Sequence, residues 1–120
     1  MARRDITGAV DFGHLERYAA GDQALVDEVL ELFREQAALW APLMDPDAEG
    51  WADAVHTLKG AGRGVGAFAL GEACEAAEAS DLEPALRRVR LMAVRDALDL
   101  ALADIAAYAH ERALLSLRTS

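Results

Sequence analysis

The chain has 120 residues, of which 53% are hydrophobic and 28% are charged, and it carries a formal net charge of −9 with a pI near 4.7. This length and balance predict one globular domain around a single hydrophobic core and exclude an intrinsically disordered chain. The acidic charge argues against nucleic acids and anionic membranes as partners, since both attract clustered Lys and Arg, and it favours a protein partner.

The distribution of residue types predicts an all-α fold. Helix-forming residues dominate, β-branched residues are sparse, and Gly, Pro and Asp mark the breaks. A short first helix is predicted over residues 11–19 with Asp11 as its N-cap, and Gly21 and Asp22 separate it from a second helix over residues 23–43. The spacing in the second helix predicts a core-facing stripe of Leu25, Val29, Phe33 with Leu32, Gln36 or Ala37, Trp40 and Leu43.

Two shorter helices are predicted in the middle of the chain. The third covers residues 49–65, after a turn that contains Pro46, and the fourth covers residues 67–79. Cys74 lies in the apolar stripe of the fourth helix, where a small buried residue is expected. Because it is the single cysteine, it cannot form an internal disulfide.

The last helix is predicted to be the longest. It begins at Pro84, which suits a first helical turn because its missing N–H is not needed there, and it continues toward Leu115. Its predicted core stripe consists of Leu86, Val89, Val94, Leu98, Leu102, Ile105 and Tyr108. Four substantial helices after a small one predict an antiparallel four-helix bundle with a short additional N-terminal helix, forming a single domain over residues 1–120.

The third helix divides into a buried face and an exposed face. At about 100° per residue, one coherent apolar face contains Trp51, Ala54, Val55, Leu58, Gly62 and Val65. His56 lies on the opposite face, together with Lys59, Gly60 and Arg63. These four residues are therefore predicted to form one exposed patch.

Glycines are concentrated after this histidine. Gly60, Gly62, Gly64 and Gly66 fall within seven residues, although each costs roughly 0.8–1 kcal/mol in a helix interior relative to Ala. Gly60 and Gly64 follow His56 at i+4 and i+8, so we expect them to clear the surface for the close approach of another protein. Gly62 is expected to face inward, and Gly66 to end the third helix.

A neutral imidazole has a nucleophilic nitrogen near pH 7 and can hold a phosphoryl group as a labile phosphoramidate. Lys59, one turn from His56, is suited to offset the added negative charge. Arg63 is suited either to the same role or to contact with an acidic partner surface. Periodicity alone leaves a second reading open, in which the patch is simply a solvated face.

The segment from His56 to Ala67 is similar to the signature of histidine-containing phosphotransfer (Hpt) domains. That signature has His, a Leu two residues later, Lys-Gly directly after the Leu, and a Gly ten residues after the His, and all five positions match here. The short first helix, Gly21-Asp22 and the segment from Leu25 to Phe33 also resemble the usual lead-in of these domains.

The resemblance implies a relay. In this relay, Nε2 of His56 attacks the aspartyl phosphate of a receiver domain, and the group then passes to an aspartate of another receiver. A kinase is the alternative donor. Such a carrier has no independent catalytic activity and binds no cofactor of its own, because the receiver supplies Mg²⁺ and the acidic pocket. The resemblance to chemotaxis-type kinases further implies that a carboxylate 22 residues after the histidine, here Glu78, orients the imidazole.

The partners implied are receiver domains of hybrid histidine kinases and of response regulators. We expect a monomer. We also expect it to be cytoplasmic, because there is no signal-peptide core and no apolar run near the roughly 18 residues that span a bilayer. A non-phosphorylated adaptor that docks receivers or a kinase is the alternative function, and it would use the same glycine-cleared surface.

Two other classes of site are disfavoured by the sequence. Asp53 and His56 have the carboxylate-x-x-His spacing of di-iron bundles, but those sites face inward and need two copies, and no metal ligand is predicted. The segment from Gly62 to Ala67 fits a dinucleotide-binding fingerprint, but no strand precedes it.

Overall fold

A computed structural model describes residues 9–79 and 81–119, and the regular secondary structure of these residues is entirely helical. The helices are α1 (Phe12–Tyr18), α2 (Gln23–Trp40), α3 (Trp51–Val65), α4 (Phe68–Glu78) and α5 (Pro84–Thr119). A single 3₁₀ turn, Ala41–Leu43, follows α2 and takes the place of its predicted last residues. The all-α prediction is confirmed.

The predicted helix ends agree with the capping chemistry. Asp11 and Asp22 are the N-caps of α1 and α2, and their carboxylates accept hydrogen bonds from the backbone N–H groups of His14 and Leu25. Gly66 ends α3 in the left-handed conformation, with φ of 91°. These caps leave short connections that bring consecutive helices back onto one another.

The core is formed by one stripe from each helix. In α3 the predicted face is confirmed, with Ala54, Val55, Leu58, Gly62 and Val65 buried. α3 packs most extensively on α4, and α4 also packs on α5. α3 and α4 run antiparallel, since His56 contacts Glu78 whereas Arg63 contacts the earlier residue Glu75.

The predicted stripe of α2 was wrong in its first half. Val26 and Leu30 are buried there, whereas Leu25 is 38% exposed and Val29 is only partly buried. Leu25 with Val29 and Val26 with Leu30 are each separated by four residues, so apolar residues lie on two adjacent faces of this segment. Phe33 and Ala37, which are both buried, stand at helical spacing from either pair, so tertiary packing decides that Val26 and Leu30 point inward.

The predicted stripe of α5 was wrong at its start. Leu86 and Val89 are exposed, whereas Leu91, Val94, Leu98, Ala101, Ile105 and Tyr108 are buried. Continued toward the N-terminus from Val94 and Leu91, the buried stripe reaches Arg87 rather than an apolar residue. The Arg87 guanidinium lies over the Trp51 ring at 4.5 Å from its centroid, so a cation–π contact occupies this position.

The segment before α1 is fastened to the turn between α3 and α4. The Asp11 N–H donates to the Gly66 carbonyl at 3.0 Å, and the Val10 N–H donates to Asp104 Oδ2 at 3.0 Å. A Cβ at Gly66 would lie 2.6 Å from the Asp11 carbonyl oxygen. Gly66 therefore serves both the helix end and this close backbone crossing.

We expect Gly66→Ala to lower the free energy of unfolding by about 1–3 kcal/mol, because Ala is strained at positive φ and its methyl group meets Asp11 backbone. Gly64→Ala is the matched control. It lies within α3 with no described atom within 4 Å of an added Cβ, so it should raise stability by about 0.5–1 kcal/mol. Urea denaturation measures both, and equal stabilities for the two variants would contradict the assignment.

Candidate functional site

His56 lies on the solvent-facing side of α3, and 73% of its side chain is exposed. The opposite face of the same helical turns holds Val55 and Leu58, which are fully buried. Because these neighbours anchor α3 in the core, the position and direction of the imidazole are set by the helix rather than by a loop.

Glu78, the last residue of α4, contacts the imidazole. The distance between His56 Nδ1 and Glu78 Oε2 is 3.1 Å. An ionised carboxylate only accepts hydrogen bonds, so the neutral imidazole that makes this contact carries its proton on Nδ1. This tautomer leaves the lone pair of Nε2 on the exposed side of the ring.

Lys59 contacts the other oxygen of the same carboxylate. Its Nζ lies 2.6 Å from Glu78 Oε1, and the two side chains are only 22% and 24% exposed. Glu78 is therefore shared by two side chains of α3 that stand one turn apart. The structure thus brings together three of the predicted residues, His56, Lys59 and Glu78.

The pKa of Glu78 is lowered from its ordinary value of 4.5. Burial raises this pKa, but the hydrogen bonds from Lys59 and His56, together with the charges of both groups, outweigh the effect of burial. The carboxylate therefore stays ionised at neutral pH and accepts the hydrogen bond from Nδ1.

Two arginines that sequence reasoning missed hold the end of α4. Arg87 donates to the Ala77 carbonyl at 3.0 Å, and Arg90 donates to the Ala76 carbonyl at 2.9 Å. The last carbonyls of a helix have no partner within the helix, so these hydrogen bonds satisfy carbonyls at the end of α4 that carries Glu78. The missed signal was Arg87 at a buried-stripe position of α5, seven residues before Val94.

Arg63 lies on the exposed face as predicted, but its partner is a different carboxylate. Its Nη2 donates to Glu75 Oε1 at 3.3 Å. A Cβ at Gly71 would lie 2.8 Å from Arg63 Cγ and 2.9 Å from its Nε, so the absence of a side chain at Gly71 lets the arginine lie against α4. The structure places Arg63 beside Glu75, not in the group formed by His56, Lys59 and Glu78.

The glycines of α3 divide into two kinds. Gly60 and Gly64 are exposed, and an added Cβ at either position meets no described atom within 4 Å. Gly62 is buried, and an added Cβ there would lie 3.0 Å from Leu70 Cδ2. The outer glycines therefore leave the surface beside His56 bare, and the inner one permits close packing of α3 on α4.

A shallow apolar groove follows the other side of α3. It is bordered by exposed Tyr18 of α1 and Leu32 of α2, and it reaches Gly64 of α3. The His14 ring stands edge-on to Phe68 with centroids 5.2 Å apart, at the same end of the molecule. The glycine-cleared surface thus continues into an apolar one.

Cys74, the single cysteine of the chain, is shielded from solvent. Cys74 is fully buried, and this burial raises the pKa of its thiol to about 12. Over residues 9–79 and 81–119, no group of three His, Cys, Asp or Glu side chains is arranged to hold a metal ion. Within the same ranges no helix is both long enough and apolar enough to cross a bilayer.

Comparison with known proteins identifies the family to which the chain is similar. The family model described as Hpt domain matches residues 22–108 of the chain. Among solved structures, the chain is similar to the histidine phosphotransferase ShpA from Caulobacter crescentus, with 66% sequence identity and a TM-score of 0.81. The match covers 92% of this chain and 99% of that chain. No curated protein sequence matches the chain.

The lowered pKa of Glu78 makes its contribution to stability depend on pH. A carboxyl group with a depressed folded-state pKa stabilises the fold above its unfolded-state pKa, and this stabilisation is lost as the pH falls through the folded-state value. We expect Glu78→Gln to lower the free energy of unfolding by about 1 kcal/mol near neutral pH, and by much less at about pH 3.

Urea denaturation of the wild type and Glu78→Gln at both pH values measures this difference. Glu72→Gln, at an exposed position of α4, is the matched control. A difference between wild type and Glu78→Gln that does not change with pH would contradict the role given to the Lys59 and His56 contacts.

Proposed function

The chain belongs to the Hpt domain family of histidine phosphotransfer proteins, and we propose that His56 is the residue that carries the phosphoryl group. The donor is an aspartyl phosphate of a receiver domain, or a histidine kinase, and the acceptor is the aspartate of a response regulator. The observation that carries this proposal is the exposed imidazole whose Nδ1 contacts Glu78, because it leaves Nε2 as the nucleophile.

In the proposed step, the Nε2 lone pair forms a bond to phosphorus while the bond from phosphorus to the aspartate oxygen breaks. The aspartate leaves as a carboxylate, and the proton on Nδ1 stays in place. The phosphorylated ring therefore carries a positive charge, which Glu78 stabilises through its hydrogen bond at 3.1 Å. Transfer to the next receiver reverses these changes.

Lys59 is proposed to offset the charge of the phosphoryl group. Lys59 follows His56 by three residues and therefore lies within one helical turn of it, and in the free protein its ammonium binds Glu78. An ammonium has three N–H donors, and a contact with Glu78 leaves donors for phosphoryl oxygens. Lys59 thus serves the carboxylate before transfer and the phosphoryl group after it.

We propose that the carrier has no independent catalytic activity and that Mg²⁺ belongs to the receiver. The carboxylate nearest to His56 is occupied by the Lys59 ammonium, which a cation at that position would have to displace. The acidic pocket of the receiver supplies the metal and stabilises the transferring group. The contribution of this chain is the position and tautomer of the imidazole.

The receiver is proposed to dock over the bare strip at Gly60 and Gly64 and the adjoining apolar groove. A backbone approaches a glycine closely because no side chain intervenes, while exposed Leu32 and Tyr18 supply apolar area. Because the chain as a whole is acidic, charge alone would not mark this face as the docking surface.

The finer architecture and cellular location belong to the same proposal. The antiparallel pairing of α3 and α4 supports one antiparallel four-helix bundle of α2 to α5, with α1 added at its end. We propose that this single domain acts in the cytoplasm, where receivers and kinases present their phosphorylated residues.

The central test is labelling by phosphorylated receiver domains of the same organism. Wild type should acquire acid-labile, base-stable phosphate, and His56→Gln should acquire none while keeping its helical circular dichroism spectrum, because position 56 is exposed. Label that persists in His56→Gln would overturn the assignment. Receiver binding without any label on the wild type would favour the adaptor.

The docking surface is tested by Gly60→Leu. We expect the variant to stay folded, since the position is open to solvent, and to lose at least about tenfold in receiver affinity, because the new side chain blocks close approach. Ala106→Leu adds similar bulk at an exposed position of α5 and is the matched control. Calorimetric titration with a receiver measures both, and unchanged affinity for Gly60→Leu would show that the bare strip is incidental.

A further inference from the structure

Arg63 shares one exposed strip of α3 with His56. Seven residues separate them, which corresponds to about 10.5 Å along the helix axis and a rotation of only about 20° about it. Gly60 and Gly64 lie on the same strip, with no described atom within 4 Å of an added Cβ. Lys59, which also lies between His56 and Arg63, is turned toward Glu78 of α4, so a protein that covers His56 reaches Arg63 along the side that Gly60 leaves bare.

The size of an ordinary interface includes this position. A standard complex buries about 800 Å² on each partner, which is a disc of about 16 Å radius. A receiver centred on His56 therefore extends past Arg63, whose side chain is 44% exposed in the free protein. Arg63 lies inside the footprint but away from the reacting nitrogen.

The arginine is held in place before any partner binds. Its stem lies against α4 at Gly71, where a Cβ would come within 2.8 Å of Cγ, and its Nη2 donates to Glu75. Ordering a long side chain in advance removes part of the entropy cost of binding. The contact with Glu75 is between exposed groups, so it orients the guanidinium while contributing little to stability.

The chemistry of the guanidinium selects its partner. Arg has five N–H donors in a planar fork that matches a carboxylate, and Glu75 accepts from one of them in the described part of the chain. Lys59 is more buried and binds Glu78. Of Lys59 and Arg63, Arg63 is therefore the one presented to a docking surface.

We propose that Arg63, seated against Gly71, is a recognition residue that binds a carboxylate on the docking face of the receiver and so contributes to the choice among receivers. This inference rests on the proposed function. It assigns Arg63 to docking rather than to neutralising the phosphoryl group, because Gly71 and Glu75 hold the guanidinium two helical turns from His56.

The test measures the rate of phosphoryl transfer from receivers that label the wild type, as a function of receiver concentration and salt. Arg63→Glu should lower the second-order rate constant by about tenfold and weaken its salt dependence, with the rate at saturating receiver unchanged. Gly71→Ala should have a smaller effect in the same direction because it displaces Arg63. Arg34→Glu makes the same charge change at an exposed position of α2 and should stay within about twofold of wild type.

A receiver in which one docking-face carboxylate is replaced by Lys should restore transfer to Arg63→Glu. If Arg63→Glu matches wild type, or if it lowers the rate at saturating receiver, the inference is overturned. Failure of every receiver to label the wild type would instead overturn the proposed function, so the two failures are distinguishable. Arg63→Glu alone decides the outcome if Gly71→Ala does not fold.

Discussion

The close packing of α3 on α4 is the constraint on which the site depends. Gly62 lets Leu70 approach the backbone of α3, and the buried side chains of Val55 and Leu58 fix the rotation of the helix. With that rotation set, His56 and Lys59 both point toward the end of α4, where Glu78 meets them. Arg87 and Arg90 then hold this helix end by its carbonyls. The geometry around the imidazole is therefore a product of core packing.

Sharing one carboxylate between two donors solves an electrostatic problem. A half-buried carboxylate without partners would be costly, and an exposed imidazole without a partner would adopt either tautomer. Glu78 between Lys59 and His56 meets both needs with three side chains. The arrangement is also close to neutral, so the large negative charge of the whole chain is not concentrated at the nucleophile.

Helix periodicity and capping residues predicted most of the fold, because each leaves a local mark in the sequence. The buried face of α3, the caps at Asp11 and Asp22 and the glycine end of α3 all follow from such marks. The buried face of α2 could not be predicted in this way, because its apolar residues lie on two adjacent faces and tertiary packing decides which face is buried. The start of α5 failed because a stacked Arg87 occupies a position where an apolar residue was expected.

The site was predicted in part, because local sequence patterns place residues within one helix but do not identify their partners on another. Residues of α3 could be placed around His56 by rotation alone, whereas the partner of Arg63 depends on which residues of α4 lie opposite. The fit of Arg63 against Gly71 needs three-dimensional coordinates, because sequence gives no reason to pair these two positions.

The length of α5 has a consequence for how the molecule unfolds. Its 36 residues extend for about 54 Å, which matches the 54 Å long dimension of the molecule and is twice the length of the 18-residue α2. From Ala113 to Arg118 every side chain is exposed. These final turns add little to the cooperative core, so fraying of the helix end is separate from global unfolding and leaves the histidine surface undisturbed.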